Sequence, residues 1–542
     1  MPIPADLQLR ALGRLSILQA GGSRHVFPSK EFQPEDRRTL HRIGRLQPIM
    51  RGWYMSARPD DSAGDTTAWT AHWQEFVTRY CQSRFKDQWR LSPEHSLHVL
   101  TSTPLPTRQI LVHAKAGTNN VTSLVHGWSI LDIRADVSEM PTEVVGPGLR
   151  VMPIDSALLG VSEPFFQTQP HTAQIAMELL PDASVIARHL IEAGKPVVAG
   201  RLIGALRAIG RSELAQDLER ILEAAGYRLT ASNPFAEPPR IINPAIKRSS
   251  HVLRIHQLWE NMRGAVIRAF PSPPGRVHDI DAYMNDVDAR YVADALNSLS
   301  IEGYHVNEAL IEQVRAGNWN PDTPENKASR DAMAAKGYSL AHQAVKESIL
   351  KILVGDANPG TVFRQSLTSW YIALWKPSVD AQIVRAEALA GYRNSPVFIR
   401  NADHVPPSPE AVRDCMPALF ELLEKEEHAA VRAVLGHFIF VYIHPYMDGN
   451  GRIGRFLMNA MFASGGYPWV VIPFARRSDY MNALNAASGG TDLAPFANLV
   501  AEILGEQSHL SYRPDQPKGK RSEFNKFLKL VPDTPAPKGD GH

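Results

Sequence analysis

An apolar helix that runs directly into a glycine-rich turn places the strongest constraint on the fold of this chain. Residues 427–443 are rich in Val, Leu, Phe and Ile, and His444-Pro445 follows them. Proline inside a helix removes a hydrogen bond and clashes with the preceding turn, so we expect the helix to end at Ile443. The turn 448–451, Asp-Gly-Asn-Gly, tolerates positive φ angles, and a second helix is predicted from Arg452.

The twelve residues from His444 to Arg455 combine the groups that hold a phosphate and deprotonate a hydroxyl. Successive amides in a glycine-rich turn point into one concavity, and the free amides of the next helix add positive potential there. Arg452 and Arg455 lie three residues apart on one face of that helix. Asp448 suits Mg²⁺, and a neutral His444 suits general-base catalysis. The pattern predicts attack of a hydroxyl on a nucleotide phosphate.

The same twelve residues resemble the motif of the Fic/DOC family, His-Pro-Phe-x-Asp/Glu-Gly-Asn-Gly-Arg-x-x-Arg, with Tyr446 in place of Phe. The resemblance implies an all-α Fic domain at 251–507 with a small β-hairpin flap. It also implies transfer of AMP from ATP to a Ser, Thr or Tyr hydroxyl of a target protein, with His444 as base and Asp448 as Mg²⁺ ligand. The implied ATP-binding residues of the motif are Gly449, Asn450, Gly451, Arg452, Gly454 and Arg455, of which Arg455 reads the γ-phosphate.

Two further segments match the family in position. Tyr392-Arg393, Val397 to Arg400 and Pro406-Pro407 resemble the flap, which in the family clamps the target backbone; an ordinary hairpin is the alternative. Tyr480 and Met481 lie where the family places two aromatic residues against adenine, and Met481 departs from the usual Tyr. The resemblance therefore adds six residues to the ATP-binding set: Val397, Phe398, Ile399, Arg400, Tyr480 and Met481.

A short motif upstream resembles the family's inhibitory sequence, Ser/Thr-x-x-x-Glu-Gly/Asn. Ser298, Glu302 and Gly303 match it, within a predicted inhibitory helix near 290–303. The resemblance implies that Glu302 pairs with Arg455, in a bidentate manner, and blocks the γ-phosphate. The alternative is that Glu302 is an ordinary surface residue of a helix.

The first 58 residues are basic, with ten Lys and Arg against four Asp and Glu. Proline and acidic residues at 34–36 predict a helix to about Gly44, which places Arg38 and Arg42 on one face with Arg37 beside them. Ile49 to Tyr54 is predicted to form strands that turn at Gly52. A basic helix followed by a strand pair is the winged-helix arrangement, so DNA is a candidate partner. A solvated face or a protein-binding winged helix is the alternative.

Residues 59–233 are predicted to form a mixed α/β region without a catalytic constellation. Together with 1–58 they loosely resemble AbiEi-type antitoxins, through Arg-Gly-Trp-Tyr at 51–54 and Ser-Ala-Leu at 156–158. A proline-rich linker is predicted at 234–250 and a disordered tail at 508–542. The fold class is thus mainly α, with a winged helix and a mixed α/β region before the Fic domain.

Charge, cysteine count and hydropathy limit the kinds of site and the cellular location that the sequence predicts. The net charge is +2, and the two cysteines, Cys81 and Cys415, lie far apart, so neither a disulfide framework nor a zinc site is predicted. The N-terminus lacks a signal pattern and no stretch is long enough to span a bilayer, so we expect a cytoplasmic protein without a membrane partner. A homodimer stays open.

Three alternative functions stay open besides AMP transfer. A Fic-fold enzyme could transfer UMP or phosphocholine, or it could remove AMP. A Doc-type kinase is disfavoured because such kinases lose part of the Gly-Asn-Gly-Arg-x-x-Arg end, which is intact here. The third alternative is a DNA-binding, antitoxin-like regulator whose Fic half only senses nucleotide.

Overall fold

A computed structural model of the chain describes residues 3–19, 24–59, 65–137, 141–237, 239–242, 249–318, 330–355, 357–389, 391–400, 402–490 and 492–508. Much of the predicted linker, at 243–248, and all of the predicted disordered tail after Ser508 lie outside these residues. The chain forms two compact units. The first is Met1–Gln257 with Phe398–Val405, and the second is Leu258–Val397 with Pro406–His542.

Helices dominate both units, so the prediction of a mainly α fold is confirmed. The helices of the first unit are α1 (Ala5–Leu18), α2 (Pro34–Arg42), α3 (Thr67–Phe85), α4 (Pro93–Leu100), α5 (Ile154–Gly160), α6 (Glu163–Thr168), α7 (Pro170–Glu178), α8 (Ala183–Ala193), α9 (Pro196–Ala208) and α10 (Ser212–Ala224). Its strands are β1 (Val26–Pro28), β2 (Leu46–Met50), β3 (Trp53–Ser56), β4 (Trp89–Leu91), β5 (Gln109–Ala114), β6 (Asn120–Ser123), β7 (Ser129–Arg134), β8 (Glu143–Val145) and β9 (Leu149–Val151).

The N-terminal part of the first unit is a three-stranded antiparallel sheet in the order β1-β3-β2, packed against α1 and α2. Pro34 begins α2 as predicted, and the predicted turn lies between β2 and β3 at Gly52, where φ is +86°. Leu15, Phe27 and Leu40 contribute to the small buried core between the helices and the sheet.

A second sheet of the first unit has the order β4-β5-β7-β6, in which β5 and β7 are parallel and the other pairs antiparallel. The apolar stretch Gln109–Ala114 (Gln-Ile-Leu-Val-His-Ala) predicts a strand, and it forms β5. The sequence prediction did not include α3, although Trp69, Phe76 and Tyr80 recur at helical spacing and are buried in one core with this sheet.

The second unit is built from helices. They are α11 (Ser250–Ala269), which begins in the first unit, α12 (Ile280–Ile301), α13 (Glu308–Arg315), α14 (Arg330–Val354), α15 (Pro359–Asp380), α16 (Pro409–Lys425), α17 (Ala429–Ile443), α18 (Asn450–Ala463), α19 (Arg477–Gly490) and α20 (Ala494–Ser508). Within the described residues no helix is both long and apolar enough to cross a membrane. Cys81 and Cys415 are free and buried.

One predicted helix of this unit is wrong. The sequence predicts a helix at 381–390, but the structure has α15 before it and only a short 3-10 turn at Ala386–Leu389. Asn358 caps α15 by accepting a hydrogen bond from the Thr361 amide at 3.1 Å, and Pro377 is tolerated in its last turn. Gln382, with φ of +60°, then ends the helical path.

The predicted β-hairpin flap is also wrong, because residues 391–400 and 402–408 contain no strand. Proline cannot donate to a β-ladder, and Pro406-Pro407 removes two donors in succession. The side chain of Arg393 instead donates to the carbonyls of Ser395 and Pro407 and to His444 O. An arginine side chain thus satisfies carbonyls that a hairpin would pair through its backbone.

Helices α14 and α15 approach each other closely at Gly337. A Cβ atom there would lie 1.9 Å from the carbonyl oxygen of Leu374. We expect Gly337→Ala to lower the free energy of unfolding by at least about 1–3 kcal/mol, because the backbones must separate. Gly489→Ala on α19 is the control, since nothing lies within 4 Å of its Cβ position and alanine favours a helix. Urea unfolding measures the stability of both variants. The expectation is contradicted if Gly337→Ala raises the stability as much as Gly489→Ala does.

Candidate active site

The position of His444 is fixed by the end of α17. The residue adopts the left-handed conformation, with φ of +52°, and its amide donates to Phe440 O at 3.0 Å. Nδ1 lies 3.3 Å from Val441 O, a contact in which Nδ1 is the donor and Nε2 is left as the acceptor. Burial lowers the pKa of His444 to about 4, so the ring is neutral at neutral pH. A neutral imidazole with a free Nε2 is chemically a general base.

A reciprocal pair of hydrogen bonds holds the turn after His444. The Tyr446 amide donates to Asn450 Oδ1 at 3.0 Å, and Asn450 Nδ2 donates to Tyr446 O at 2.8 Å. The Tyr446 ring is buried and stacks on Tyr371 with 3.7 Å between centroids. The side chain of Asn450 therefore braces the loop, which leaves its backbone rather than its amide group for a ligand.

Asp448 is the exposed carboxylate of this turn. Its Oδ1 accepts from the Gly449 amide at 2.5 Å and lies 3.5 Å from Arg452 Nη2. Within the described part of the chain, no group of three or more His, Cys, Asp or Glu side chains could enclose a metal. Mg²⁺ commonly binds one or two carboxylates and completes its shell with phosphate oxygens and water. Asp448 fits that requirement only together with a phosphorylated ligand.

Arg452 lies buried between two aromatic rings. Its guanidinium carbon is 5.1 Å from the Tyr304 centroid and 5.0 Å from the Trp375 centroid, and the residue is 1% exposed. Its Nε and Nη2 have no hydrogen-bond partner. Buried donors are almost always paired, so two unpaired ones on a cation mark a place for an anion. The sequence analysis missed both aromatic residues, because neither belongs to a local motif.

Arg455 is the second buried arginine, and α12 supplies its partners. Nε donates to Ser298 Oγ at 2.9 Å, and Nη2 donates to Ser298 O at 3.0 Å and to Glu302 Oε1 at 2.7 Å. The predicted pairing of Glu302 with Arg455 is present, but it uses one oxygen and one nitrogen rather than a bidentate contact. Ser298 Oγ and Ser298 O accept from the Nε and Nη2 donors that a second contact with the carboxylate would need.

The Glu302 carboxylate lies over the start of α18. A Cβ atom on Gly451 would lie 2.2 Å from Glu302 Oε1, so only glycine permits this approach. Burial raises the pKa of Glu302, but Arg455 and Arg452 outweigh it and the net effect lowers the pKa. Gly303, with φ of +82°, turns the chain away from α12 at this point. The carboxylate thus sits where a helix N-terminus attracts an anion.

Two of the predicted flap residues, Phe398 and Arg400, make their described contacts in the first unit. The Phe398 ring lies 6.3 Å from the His72 ring, and Arg400 Nε lies 3.4 Å from Asp65 Oδ2. Val397 belongs to the second unit. Contact of Val397, Phe398, Ile399 and Arg400 with ATP stays a prediction.

The two predicted adenine-contacting residues differ in exposure. Tyr480 is 2% exposed and its Oη lies 2.8 Å from His437 Nε2, whereas Met481 is half-buried. Tyr480 faces the interior of the unit, and the sequence analysis missed its partner His437. Adenine contact by either residue stays a prediction.

Comparison with known proteins places this site in a family. Residues 378–462 match the model of the Fic/DOC family. A protein adenylyltransferase Fic from Nematostella vectensis is 46% identical over 114 residues, which are 20% of this chain and 26% of that relative. Its counterpart from Drosophila grimshawi is 37% identical over 115 residues, which are 20% and 23% of the two chains.

Solved structures of the family also align. A Fic domain containing signaling protein from Bacteroides thetaiotaomicron has a TM-score of 0.34 and 18% identity, covering 47% of this chain and 94% of its own. Fic-1 from C. elegans has a TM-score of 0.35 and 18% identity, covering 63% and 89%. The chain spans about a quarter of the length of the curated relatives it matches. The segment that contains the motif, residues 378–462, matches the Fic/DOC family model, as the motif predicted.

The ion pair between Glu302 and Arg455 predicts a pH-dependent contribution to stability. A carboxyl whose folded pKa is lowered stabilises above its ordinary value of about 4.3, and this contribution disappears as pH falls through the lowered pKa. We expect Glu302→Gln to reduce the free energy of unfolding by about 1–3 kcal/mol at pH 7, and by less at pH 3.5. Urea unfolding at both pH values is the measurement. Glu347→Gln, on an exposed position of α14, is the control, and a pH-independent loss would contradict the ion pair.

Proposed function

We propose that the protein is an adenylyltransferase that moves AMP from ATP to a Ser, Thr or Tyr hydroxyl of a target protein. The observation that carries the proposal is the buried guanidinium of Arg452, whose Nε and Nη2 have no hydrogen-bond partner, at the N-terminus of α18 and in one turn with a neutral His444. These groups bind polyphosphate and accept a proton at one place. Membership of residues 378–462 in the Fic/DOC family, and the names of the relatives, support AMP as the transferred group.

In the proposed reaction, His444 Nε2 removes the proton from the target hydroxyl. The hydroxyl oxygen forms a bond to the α-phosphorus, the bond from that phosphorus to the bridging oxygen breaks, and pyrophosphate leaves with the electron pair. Asp448 would hold Mg²⁺, which neutralises charge on the phosphates. The amides of Gly449, Asn450 and Gly451, with Arg452, cradle the α- and β-phosphates.

We infer further that the described conformation is autoinhibited. Glu302 places a negative charge at 2.7 Å from Arg455, the residue proposed to bind the γ-phosphate. A γ-phosphate at the same place would meet like charge, and like charges within a few ångströms disfavour one another. ATP then binds with its α-phosphate out of line with His444 until Glu302 moves. The contact of Ser298 with the same guanidinium adds a second bond that must break.

The combined proposal predicts the effect of removing the inhibitory carboxylate. With ATP labelled at the α-phosphate, we expect Glu302→Gly to transfer at least about tenfold more label to protein than wild type, because about 1.4 kcal/mol of competition is lost. His444→Ala in the same background should abolish labelling, which separates enzymatic transfer from tight binding. Equal labelling with and without Glu302 would reject autoinhibition. No label from Glu302→Gly would reject AMP transfer, and label from UTP instead would favour the UMP alternative.

A second candidate function, DNA binding by the N-terminal part of the first unit, rests on charge placement. Arg38 and Arg42 are exposed on α2, and Arg51 is exposed at the turn between β2 and β3. A helix and a strand turn that both carry arginine suit the major groove and the adjoining phosphates of a winged-helix complex. Arg37 is half-buried, with its guanidinium 5.6 Å from the Tyr54 ring, which orients that part of the surface.

The DNA proposal predicts a salt-dependent gel shift with duplex DNA. Arg38→Ala combined with Arg42→Ala should weaken binding and reduce the dependence of log K on log salt by about two phosphate contacts. Arg188→Ala combined with Arg220→Ala removes the same charge from exposed positions elsewhere in the unit and is the matched control. If both double variants weaken DNA binding equally, the effect comes from net charge rather than from the α2 surface. If wild type gives no gel shift, DNA binding is rejected.

A further inference from the structure

The guanidinium of Arg452 is flanked by two aromatic rings, and two of its three nitrogens make no hydrogen bond. Its carbon lies 5.0 Å from the Trp375 centroid and 5.1 Å from the Tyr304 centroid, within the range of a cation–π contact. Nε and Nη2 have no hydrogen-bond partner, and Nη2 lies 3.5 Å from Oδ1 of the exposed Asp448 side chain. All four residues line one cavity of about 340 Å³, which gives a ligand access to the stack of rings and guanidinium.

Trp375, on α15, contributes the face of its ring to this stack. A Cβ atom on Gly449 would lie 3.2 Å from Trp375 Nε1 and 3.6 Å from Arg452 Nη2, so the bare Cα of the glycine lets ring and guanidinium approach the turn together. Trp375 Nε1 itself has no hydrogen-bond partner. The contact between Trp375 and Arg452 is therefore one of ring and charge, and it occupies no donor of the arginine.

Tyr304 brings the second ring from the segment that follows α12. Its amide donates to Leu299 O at 3.1 Å, which anchors the residue to the last turn of that helix, and the side chain is buried. A second guanidinium, that of Arg330, lies 4.8 Å from the same ring centroid. Glu302 lies two residues before Tyr304, so one short segment carries both the carboxylate that pairs with Arg455 and a ring on Arg452.

We infer that Trp375 and Tyr304 are positioning residues that hold the Arg452 guanidinium ready for the α- and β-phosphates of ATP. The inference rests on the proposed function, in which Arg452 binds those phosphates. A free arginine side chain loses rotamer freedom when a ligand orders it, so a guanidinium that is already ordered binds phosphate more tightly. A hydrogen bond would order it at the cost of a donor, whereas a ring leaves the N–H groups available to phosphate oxygens.

The segment after α12 then acts on the nucleotide site in two opposite ways. Glu302 places negative charge on Arg455 and opposes the γ-phosphate, whereas Tyr304 supports the arginine that receives the other phosphates. Loss of the Glu302 carboxylate should therefore favour nucleotide binding, and loss of the Tyr304 ring should weaken it even when the carboxylate is already gone.

The test compares ADP with adenosine, because only ADP carries the two phosphates assigned to Arg452. Binding of each to the full chain is measured by calorimetry with Mg²⁺, in a Glu302→Gly background. We expect Trp375→Leu and Tyr304→Leu each to raise the Kd for ADP about tenfold and to change the Kd for adenosine less than about twofold. Trp375→Phe and Tyr304→Phe keep a ring, so the Kd for ADP should stay within about threefold of the parent.

A double-mutant cycle separates positioning from a structural role. In an Arg452→Ala background, Trp375→Leu should change the Kd for ADP less than about twofold, because the ring acts through the guanidinium that has been removed. The inference is overturned if the leucine variants leave ADP binding unchanged, if they weaken ADP and adenosine alike, if the phenylalanine variants lose as much, or if the loss persists without Arg452.

Thermal unfolding establishes that each variant is folded before its binding is compared. The two ring positions are tested independently, so the inference stays open to refutation at one position if the leucine variant at the other does not fold. If the Glu302→Gly protein binds ADP no more tightly than adenosine, the phosphate site of the proposed function fails. If it binds ADP more tightly and every ring variant does so equally, only the inference about Trp375 and Tyr304 fails.

Discussion

The second unit is organised around a buried positive charge, the guanidinium of Arg455. Removing such a charge from water is unfavourable unless hydrogen bonds and opposite charge replace the solvent. Ser298 and Glu302 provide this from α12. Because the buried guanidinium needs hydrogen-bond acceptors and a negative charge, it can bind an anion, and the same need fixes the position of α12, whose residues supply both.

Contacts other than the ion pair also fix the position of α12. Tyr338 Oη donates to Asp294 Oδ2 at 2.6 Å, and burial raises the pKa of Asp294 to about 6. Asp294, Ser298 and Glu302 follow one another at intervals of four residues, so all three lie on one face of α12. The position of α12 is therefore fixed by Asp294 and Ser298 as well as by the ion pair of Glu302.

Local chemistry explains which parts of the site the sequence could predict. His444, the glycine turn and the two arginines lie within twelve residues, and Glu302 carries a short motif, so each is visible in one stretch of chain. Tyr304 and Trp375 act through tertiary contacts with Arg452 of that stretch, and nothing in their own neighbourhood distinguishes them from core residues. Prolines located the start of α2 at Pro34 and the end of α17 at Ile443. The helix at 359–380 was missed because it contains Pro377. The flap was predicted as a hairpin, although two of its carbonyls pair with the Arg393 side chain.

The bare Cα of Gly451 has a consequence for how such a site can change in evolution. Glu302 Oε1 lies within the space that a methyl group on Gly451 would fill. A side chain at position 451 would therefore displace the Glu302 carboxylate from the start of α18. A change at residue 302 removes that carboxylate and leaves α18 unaltered, so under the proposed function inhibition can vary there independently of the helix that faces the nucleotide.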